Sequence, residues 1–534
     1  MRETTTGAIA RRTLLGLIGG LMLCLGLSVQ PVLARDLPDY KAEAGMMPIG
    51  TDPERPEAEI FHIAYTLKGA NPATRPVTFV FNGGPGGASI YLHLSAIGPM
   101  TVASAGDGSF PASPARLTPN PDSWIHFTDL VFIDPVGTGY SRTLPGPDGA
   151  LRDPKPYYTV AGDLDSIAMF MRQWLTRHQR WGSPKAIAGE SYGGQRVAAL
   201  TRLLAEQYAI NLNRAILISP ALNVEVTDTR YSVIQPMTLV PTQAAIASFH
   251  GLNDIGSGPA AMKRIEDYAI SEYSAGLETL GRMTPEQQTA FYAKVAKTIG
   301  IDPGVVARHR GKLSQSVFAA SLLASRGKVI DTYDGTQISD NPTPEREDLG
   351  VMDRSLTILS GALLPPFMDY VAKDLGYVTE RPYIPLSFEV NMAWDRVSPL
   401  GSPDDLAVAL AQNHDLKALV VHGYHDLVTN YFLTRYVLEQ SVLGPDARKR
   451  LFFGNYEGGH MFYLRSASRA AWQLVSRTRP CSPASARRML LPPSELVVTR
   501  RAPAAAYSAC TCCTTSGRSH SQASGITPGG RPRV

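Results

Sequence analysis

The sequence predicts an α/β fold, with a mostly parallel sheet, helices on both faces and a block of helices inserted into the second half. Three observations predict it. Short apolar runs that end in glycine- or proline-rich turns recur at residues 61–67, 77–81, 130–134, 186–188 and 215–218, as strands buried on both faces do. Stretches with apolar residues at helical spacing lie between several of them, and strands alternating with helices are the signature of parallel pairing. From residue 222 to 399 the alternation gives way to helical patterns with few strand signals, and it returns at 417–423 and 450–453 around a helix at 432–442.

The element at 186–188 leads into Gly189-Glu190-Ser191-Tyr192-Gly193-Gly194. A helix follows it, with Val197, Leu200, Leu203 and Leu204 on one side. Ser191 therefore sits on a strand-to-helix turn flanked by Gly189 and Gly193. A side chain two positions either side of the serine would collide in a turn sharp enough to present the hydroxyl. This is the nucleophile elbow of α/β-hydrolases. It also places the N–H of Tyr192 at a helix N-terminus, where it can donate to a developing oxyanion.

The strand at 77–81 runs into Asn82-Gly83-Gly84-Pro85-Gly86-Gly87. Four glycines in six residues let a backbone turn tightly and aim N–H groups at a ligand. The Lys-Ser/Thr ending of a phosphate-binding P-loop is absent, so an oxyanion loop is the better reading.

A serine hydroxyl needs a histidine to take its proton and a carboxylate to hold that histidine's tautomer. On this fold they follow in the order acid, then histidine, each on a loop after a strand. Asp426, directly after the strand at 417–423, and His460, carried by Gly458 and Gly459 after the strand at 450–453, meet that order. Asp415 precedes its strand and would lie at the opposite edge of the sheet. His422 and His425 are rival bases, but both neighbour Asp426 in sequence and read as packing or surface residues.

The 534-residue chain has 18% charged and 44% hydrophobic residues, an ordinary globular composition. Of the formal charge of +4, residues 1–34 supply +2 (Arg2, Arg11 and Arg12 against Glu3) and residues 479–534 supply +7 (eight arginines against Glu495), leaving the body at −5. No basic stripe suits a nucleic-acid backbone.

Arg11 and Arg12 precede an apolar run from residue 14 to 27, and Val32-Leu33-Ala34 offers a cleavage site, so residues 1–34 read as a secretory signal. The stretch also resembles a twin-arginine export signal, and its run is slightly short for an uncleaved membrane anchor. Leu23 before Cys24 argues against lipoprotein processing. The other cysteines, Cys481, Cys510, Cys512 and Cys513, fall in the tail, without the paired ligands of a zinc site. The expected organisation is a signal at 1–34, core halves at 35–221 and 400–478, an inserted helical cap at 222–399 and a disordered or aberrant basic tail at 479–534. A capping box at Thr284-Pro285-Glu286-Gln287 and a helix start at Asp302-Pro303, in a block running to about 327, organise the cap.

Five stretches together resemble the serine carboxypeptidase family: FNGGPGGAS from Phe81, SWIHFTDLVFIDPVGTGYS from Ser123, GESYGG from Gly189, GYHDLVTN from Gly423 and GGHM from Gly458. The resemblance, as to a bacterial-type member, implies an exported exopeptidase, periplasmic or extracellular, that removes C-terminal residues through an acyl-enzyme. Ser191 would be the nucleophile, Asp426 the orienting acid, His460 the base, and Gly84 and Tyr192 the oxyanion donors. Asn82, Gly83 and Glu190 would hold the substrate's terminal carboxylate, with Glu190 protonated.

Two positions depart from the eukaryotic members. Ala96 stands where they usually carry a second glutamate, which removes a partner for Glu190, and Gly87 replaces a cysteine. An esterase or acyltransferase with the same triad, or a non-catalytic relative, are the alternatives. The expected partner is a peptide or small acyl substrate, with no cofactor, no metal, no nucleic acid and no stable membrane association after signal cleavage. Oligomeric state is not legible.

Overall fold

The computed structural model describes residues 36–52, 54–113, 115–222, 231–349, 354–395 and 403–477. The expected signal, the tail after residue 478 and all five cysteines lie outside them. All described residues belong to one compact unit, 1–490; a second unit, 491–534, contains none of them.

The central sheet has nine strands among the described residues. Eight form its path: β1 (Tyr40–Ile49), β2 (Ala58–Leu67), β3 (Val77–Phe81), β4 (Asp129–Ile133), β5 (Lys185–Glu190), β6 (Arg214–Ile218), β7 (Lys417–Gly423) and β8 (Leu451–Tyr456). In space they run β1-β2-β4-β3-β5-β6-β7-β8. β1 and β2 pair antiparallel with each other, β2 pairs antiparallel with β4, and every later pairing is parallel. The ninth strand, Arg142–Thr143, pairs with β2.

The continuous apolar runs of the parallel strands are explained by burial on both faces. Alternate residues of each strand enter different cores: Phe79, Ile187 and Leu217 face one, and Val80, Ala188 and Ile218 the other. Helix α1 (Val160–Arg177), α2 (Tyr192–Tyr208) and Pro403–Gln412 cover the first face through Leu164, Phe170, Trp174, Val197, Leu200 and Leu406. Arg354–Lys373 and the last described helix, α3 (Ser466–Arg477), cover the second through Leu359, Leu363, Phe367 and Trp472. This is the predicted α/β-hydrolase architecture.

The helical block has a core of its own, with Val240, Ile246, Tyr273, Ile299 and Phe318, which reaches the sheet domain through Leu427, Tyr431 and Phe432. Its expected capping box at Thr284 and Gln287 is present, and Asp302 caps the helix Pro303–Arg308. The block read as helical to residue 327 is broken into Pro303–Arg308, Gln315–Ser321 and a 3-10 turn, followed by a hairpin of Lys328–Ile330 with Ile338–Asp340. Residues 354–383 pack on the sheet and not on the cap core.

Candidate active site

Ser191 is the residue between β5 and α2, and its backbone sits at φ 59° and ψ −124°. That is a costly conformation for a residue with a side chain, held where the surroundings over-determine it. Three backbone hydrogen bonds do so: the Ser191 N–H donates to the carbonyl of Ile218 (2.9 Å), and its own carbonyl accepts from Gly194 (2.8 Å) and Ala221 (2.9 Å). The turn is closed so tightly that a Cβ on Gly189 would lie 2.2 Å from the carbonyl oxygen of Gly193. The collision expected from sequence is there in the backbone.

The glycine loop lies directly on this elbow. A Cβ on Gly83 would stand 2.5 Å from the Tyr192 nitrogen and 2.8 Å from the Ser191 Cβ, so only glycine permits the approach. Gly84, with φ 106°, follows it, and the N–H of Gly87 closes the loop on the carbonyl of Gly83 at 3.0 Å. Two side chains brace the loop from below. The Asn82 amide oxygen accepts from the Leu92 N–H (3.0 Å), and Arg196 of α2 donates to the Asn82 carbonyl (2.6 Å) while paired with buried Asp163.

Asp426 and His460 meet across the ends of β7 and β8. The Oδ2 of Asp426 lies 2.8 Å from Nδ1 of His460, and both side chains are buried. Oδ1 accepts the N–H groups of Val428 (2.9 Å) and Thr429 (3.0 Å). The Thr429 hydroxyl is within reach of Asp426 Oδ2 (2.6 Å), the Ser219 carbonyl (2.9 Å) and His460 Nδ1 (3.0 Å). Burial works to raise the Asp426 pKa, but the neighbouring His460 and the donors from Thr429 outweigh it and hold it below the usual value. The backbone of His460 is anchored by its N–H on the Tyr333 carbonyl (2.6 Å) and by the Ser219 hydroxyl on its carbonyl (2.7 Å), and the Tyr333 ring stands edge-on to the imidazole.

Neither rival histidine lines the pocket at Ser191. His422 and His425 are buried, and burial pushes their pKa values down to about 4 and about 3, so both are packed neutral. Asp415 is exposed, before β7, at the far edge of the sheet.

Glu190 is buried beside the serine. The Asn82 amide donates to its Oε2, and the Tyr463 hydroxyl donates to Oε1 at 2.6 Å. Burial nevertheless dominates: its pKa is pushed up to about 7, with His460, Tyr463 and Asn82 pulling the other way. A carboxyl in this state passes between charged and neutral near pH 7.

Asn82, Gly83, Gly84, Glu190, Ser191 and His460 line one cleft of about 270 Å³. Its outer wall is Tyr333, Leu356, Leu386, Phe388, Asn391 and Met461. Sequence reading missed Thr429, Tyr463, Tyr333 and Arg196. Thr429 lies within the GYHDLVTN stretch and Tyr463 two residues past GGHM, so both were adjacent to a motif, but nothing local tells which way their hydroxyls point. No group of His, Cys, Asp and Glu that could hold a metal occurs among the described residues, and no described helix is long and apolar enough to cross a membrane.

The family model described as serine carboxypeptidase matches residues 31–253. "Serine carboxypeptidase-like 5" of Arabidopsis thaliana is 34% identical over 166 residues, 30% of this chain and 34% of the relative. "Pheromone-processing carboxypeptidase KEX1" of Yarrowia lipolytica is 32% identical over 142 residues, 26% of this chain and 20% of the relative. The chain thus spans about a third or less of the length of these relatives. The crystal structure of the prohormone-processing carboxypeptidase Kex1 from Saccharomyces cerevisiae superposes with a TM-score of 0.50 at 16% identity, covering 83% of this chain and 90% of that one. At that identity the likeness is one of fold.

Proposed function

We propose that this chain is a serine-type carboxypeptidase that hydrolyses C-terminal peptide bonds through an acyl-enzyme. The observation that carries the reading is the placing of Glu190 and Asn82 in the same cleft as Ser191 and His460. A carboxyl near its own pKa, with an amide beside it, can donate a hydrogen bond to a substrate carboxylate while protonated. Such a carboxylate fixes the scissile bond one residue away over the serine.

His460 takes the proton of Ser191 as its oxygen attacks the carbonyl carbon, and Asp426 stabilises the imidazolium and fixes its tautomer. The N–H groups of Gly84 and Tyr192 receive the oxyanion, each worth about 3 kcal/mol in the transition state. His460 then passes the proton to the leaving amine, and water, deprotonated by the same imidazole, opens the ester.

The same reading takes residues 35–221 and 400–478 as the catalytic core and the helices between as the element that shapes specificity. It also takes residues 1–34 as an export signal, placing the product in the periplasm or outside the cell, on the strength of their sequence alone. The bacterial-type character has the departures at Ala96 and Gly87 behind it, whereas the relatives compared above are plant and fungal.

A second reading, esterase or acyltransferase, is favoured by one observation: Leu356, Leu386, Phe388 and Met461 make the outer cleft apolar. Mass spectrometry separates the two. Peptides with free or amidated C-termini are incubated with the protein across acid to neutral pH. Stepwise loss of single residues from the free-acid peptide alone is expected; turnover of simple esters with no peptide cleavage would overturn the proposal. Labelling of Ser191 by a fluorophosphonate is expected too, and its absence in folded protein would make the chain a non-catalytic relative.

A further inference from the structure

Tyr463 is a fully buried tyrosine whose hydroxyl has one described partner, the carboxyl of Glu190, at 2.6 Å. It is held there from behind. Its ring stacks on Trp472 of α3, which in turn meets Phe462 and Trp124 edge-on. Tyr463 lies three residues after His460, so the loop that delivers the base also delivers this donor. On the other side, Asn82 reaches the same carboxyl from the root of the glycine loop. Glu190 is therefore clasped between the two loops that frame the serine.

We propose that Tyr463 is a positioning residue that sets the upper pH limit for binding of the substrate's terminal carboxylate, by donating its hydroxyl to Glu190. The inference rests on the carboxypeptidase reading above. The physical argument concerns which form of Glu190 each contact favours. A substrate carboxylate is met by the protonated acid and repelled by the ion. A phenol can only donate to this carboxyl while it stays protonated itself, and burial raises the Tyr463 pKa well above the ordinary value, so it does. Donation to a carboxylate stabilises the ion more than the acid. Tyr463 thus opposes the burial that keeps Glu190 protonated, and the balance fixes the pH at which binding is lost.

The other groups around Glu190 are accounted for. His460 favours its ion and Asp426 its acid, and both belong to the triad. Tyr91, on the wall of the cleft, has its hydroxyl 2.7 Å from Ser360. Arg196 contacts the Asn82 carbonyl and is neutralised by Asp163. Among these, Tyr463 is the one neutral donor on the Glu190 carboxyl supplied from the C-terminal part of the chain.

The test is the pH profile of kcat/KM for a blocked dipeptide with a free carboxylate, with its amide and ester as comparators. In the wild type, the free-acid substrate loses kcat/KM through a rise in KM above neutral pH, and the ester shows no such limb. In Tyr463→Phe the limb moves up by about one pH unit, the equivalent of one hydrogen bond to a charged group. One unit above the wild-type limb, KM relative to its own acid plateau is then about fivefold lower than in the wild type. Incorporation of 3-fluorotyrosine at position 463, a more acidic phenol and stronger donor, moves the limb down, and this carries the test if the phenylalanine protein does not fold. A limb unmoved in both proteins overturns the inference and leaves the carboxypeptidase reading standing. A wild type that does not prefer free acid over amide at any pH overturns that reading, and the inference with it.

Discussion

The carboxylate of Asp426 and the imidazole of His460 are joined at 2.8 Å with both side chains out of solvent, and Asp426 spends its other oxygen on two backbone N–H groups. The acid is thereby held independently of the histidine, and its second oxygen meets Nδ1 and the Thr429 hydroxyl. Asp426→Asn keeps the shape and supports the wrong tautomer, so kcat is expected to fall by about 10⁴-fold with the fold intact. Steady-state kinetics beside a circular-dichroism melt checks it; a loss under tenfold would remove Asp426 from the triad.

The close approach of Gly83 to the elbow makes a second expectation. Gly83→Ala drives a methyl into the Tyr192 nitrogen and the Ser191 Cβ. It should cost at least about 100-fold in kcat, the scale of losing one oxyanion donor. Gly281→Ala is the control, because nothing stands within 4 Å of its added carbon. Equal kinetics for the two variants would refute the contact.

Burying Trp472 ties α3, the last described helix, to the site. It is fully buried against Trp124, Phe462 and Tyr463. Trp472→Ala is expected to destabilise the protein by about 3–5 kcal/mol, as large aromatic deletions do, and, by loosening Tyr463, to move the pH limit of free-acid binding upward in the protein that remains folded. Urea unfolding gives the first number and kinetics at low temperature the second.

Stability should also fall on acidification. Burial pushes His62 and His422 down to about 4, and His93 and His425 down to about 3. Each is neutral when folded and takes a proton near pH 6.5 when unfolded, so its contribution is complete above 6.5 and is lost as pH falls towards the folded value. Glu190 and Asp134, both raised to about 7 by burial, act in the opposite sense and lose stability as pH rises to 7. Asp163, Glu266, Asp334 and Glu457 are also raised by burial and act with them, but the shifts of all four histidines span the whole window, so Tm is expected to drop between pH 6.5 and 4. His62→Gln should flatten that slope by on the order of 3 kcal/mol. A Tm that is level across the window would contradict the neutral burial of these histidines.

Strand β3 and the elbow were legible because their residues are short-range statements: an apolar run, then glycines where the backbone must turn. The strand order could not be read, since β1, a half-buried edge strand, has little apolar alternation and is defined by its partner β2. Residues 354–383 read as part of the cap because the helical period of Arg354–Lys373 is real; which apolar surface that period meets is settled by the sheet, far away in sequence. In the site, Ser191, Asp426 and His460 were legible by order and by their place after strands. Thr429 and Tyr463 were not, because a hydroxyl's partner is a property of the packed loops.

The elbow rests on β5, in the first half of the chain, whereas the imidazole that must activate it rides on β8, the last strand of the sheet, and is backed by the last described helix. During synthesis the strained serine and its glycine loop emerge long before His460, the base proposed for the serine. On the proposed mechanism, the polypeptide stays chemically silent until the segment that carries His460 docks on the sheet, so the appearance of activity would report the docking of that segment.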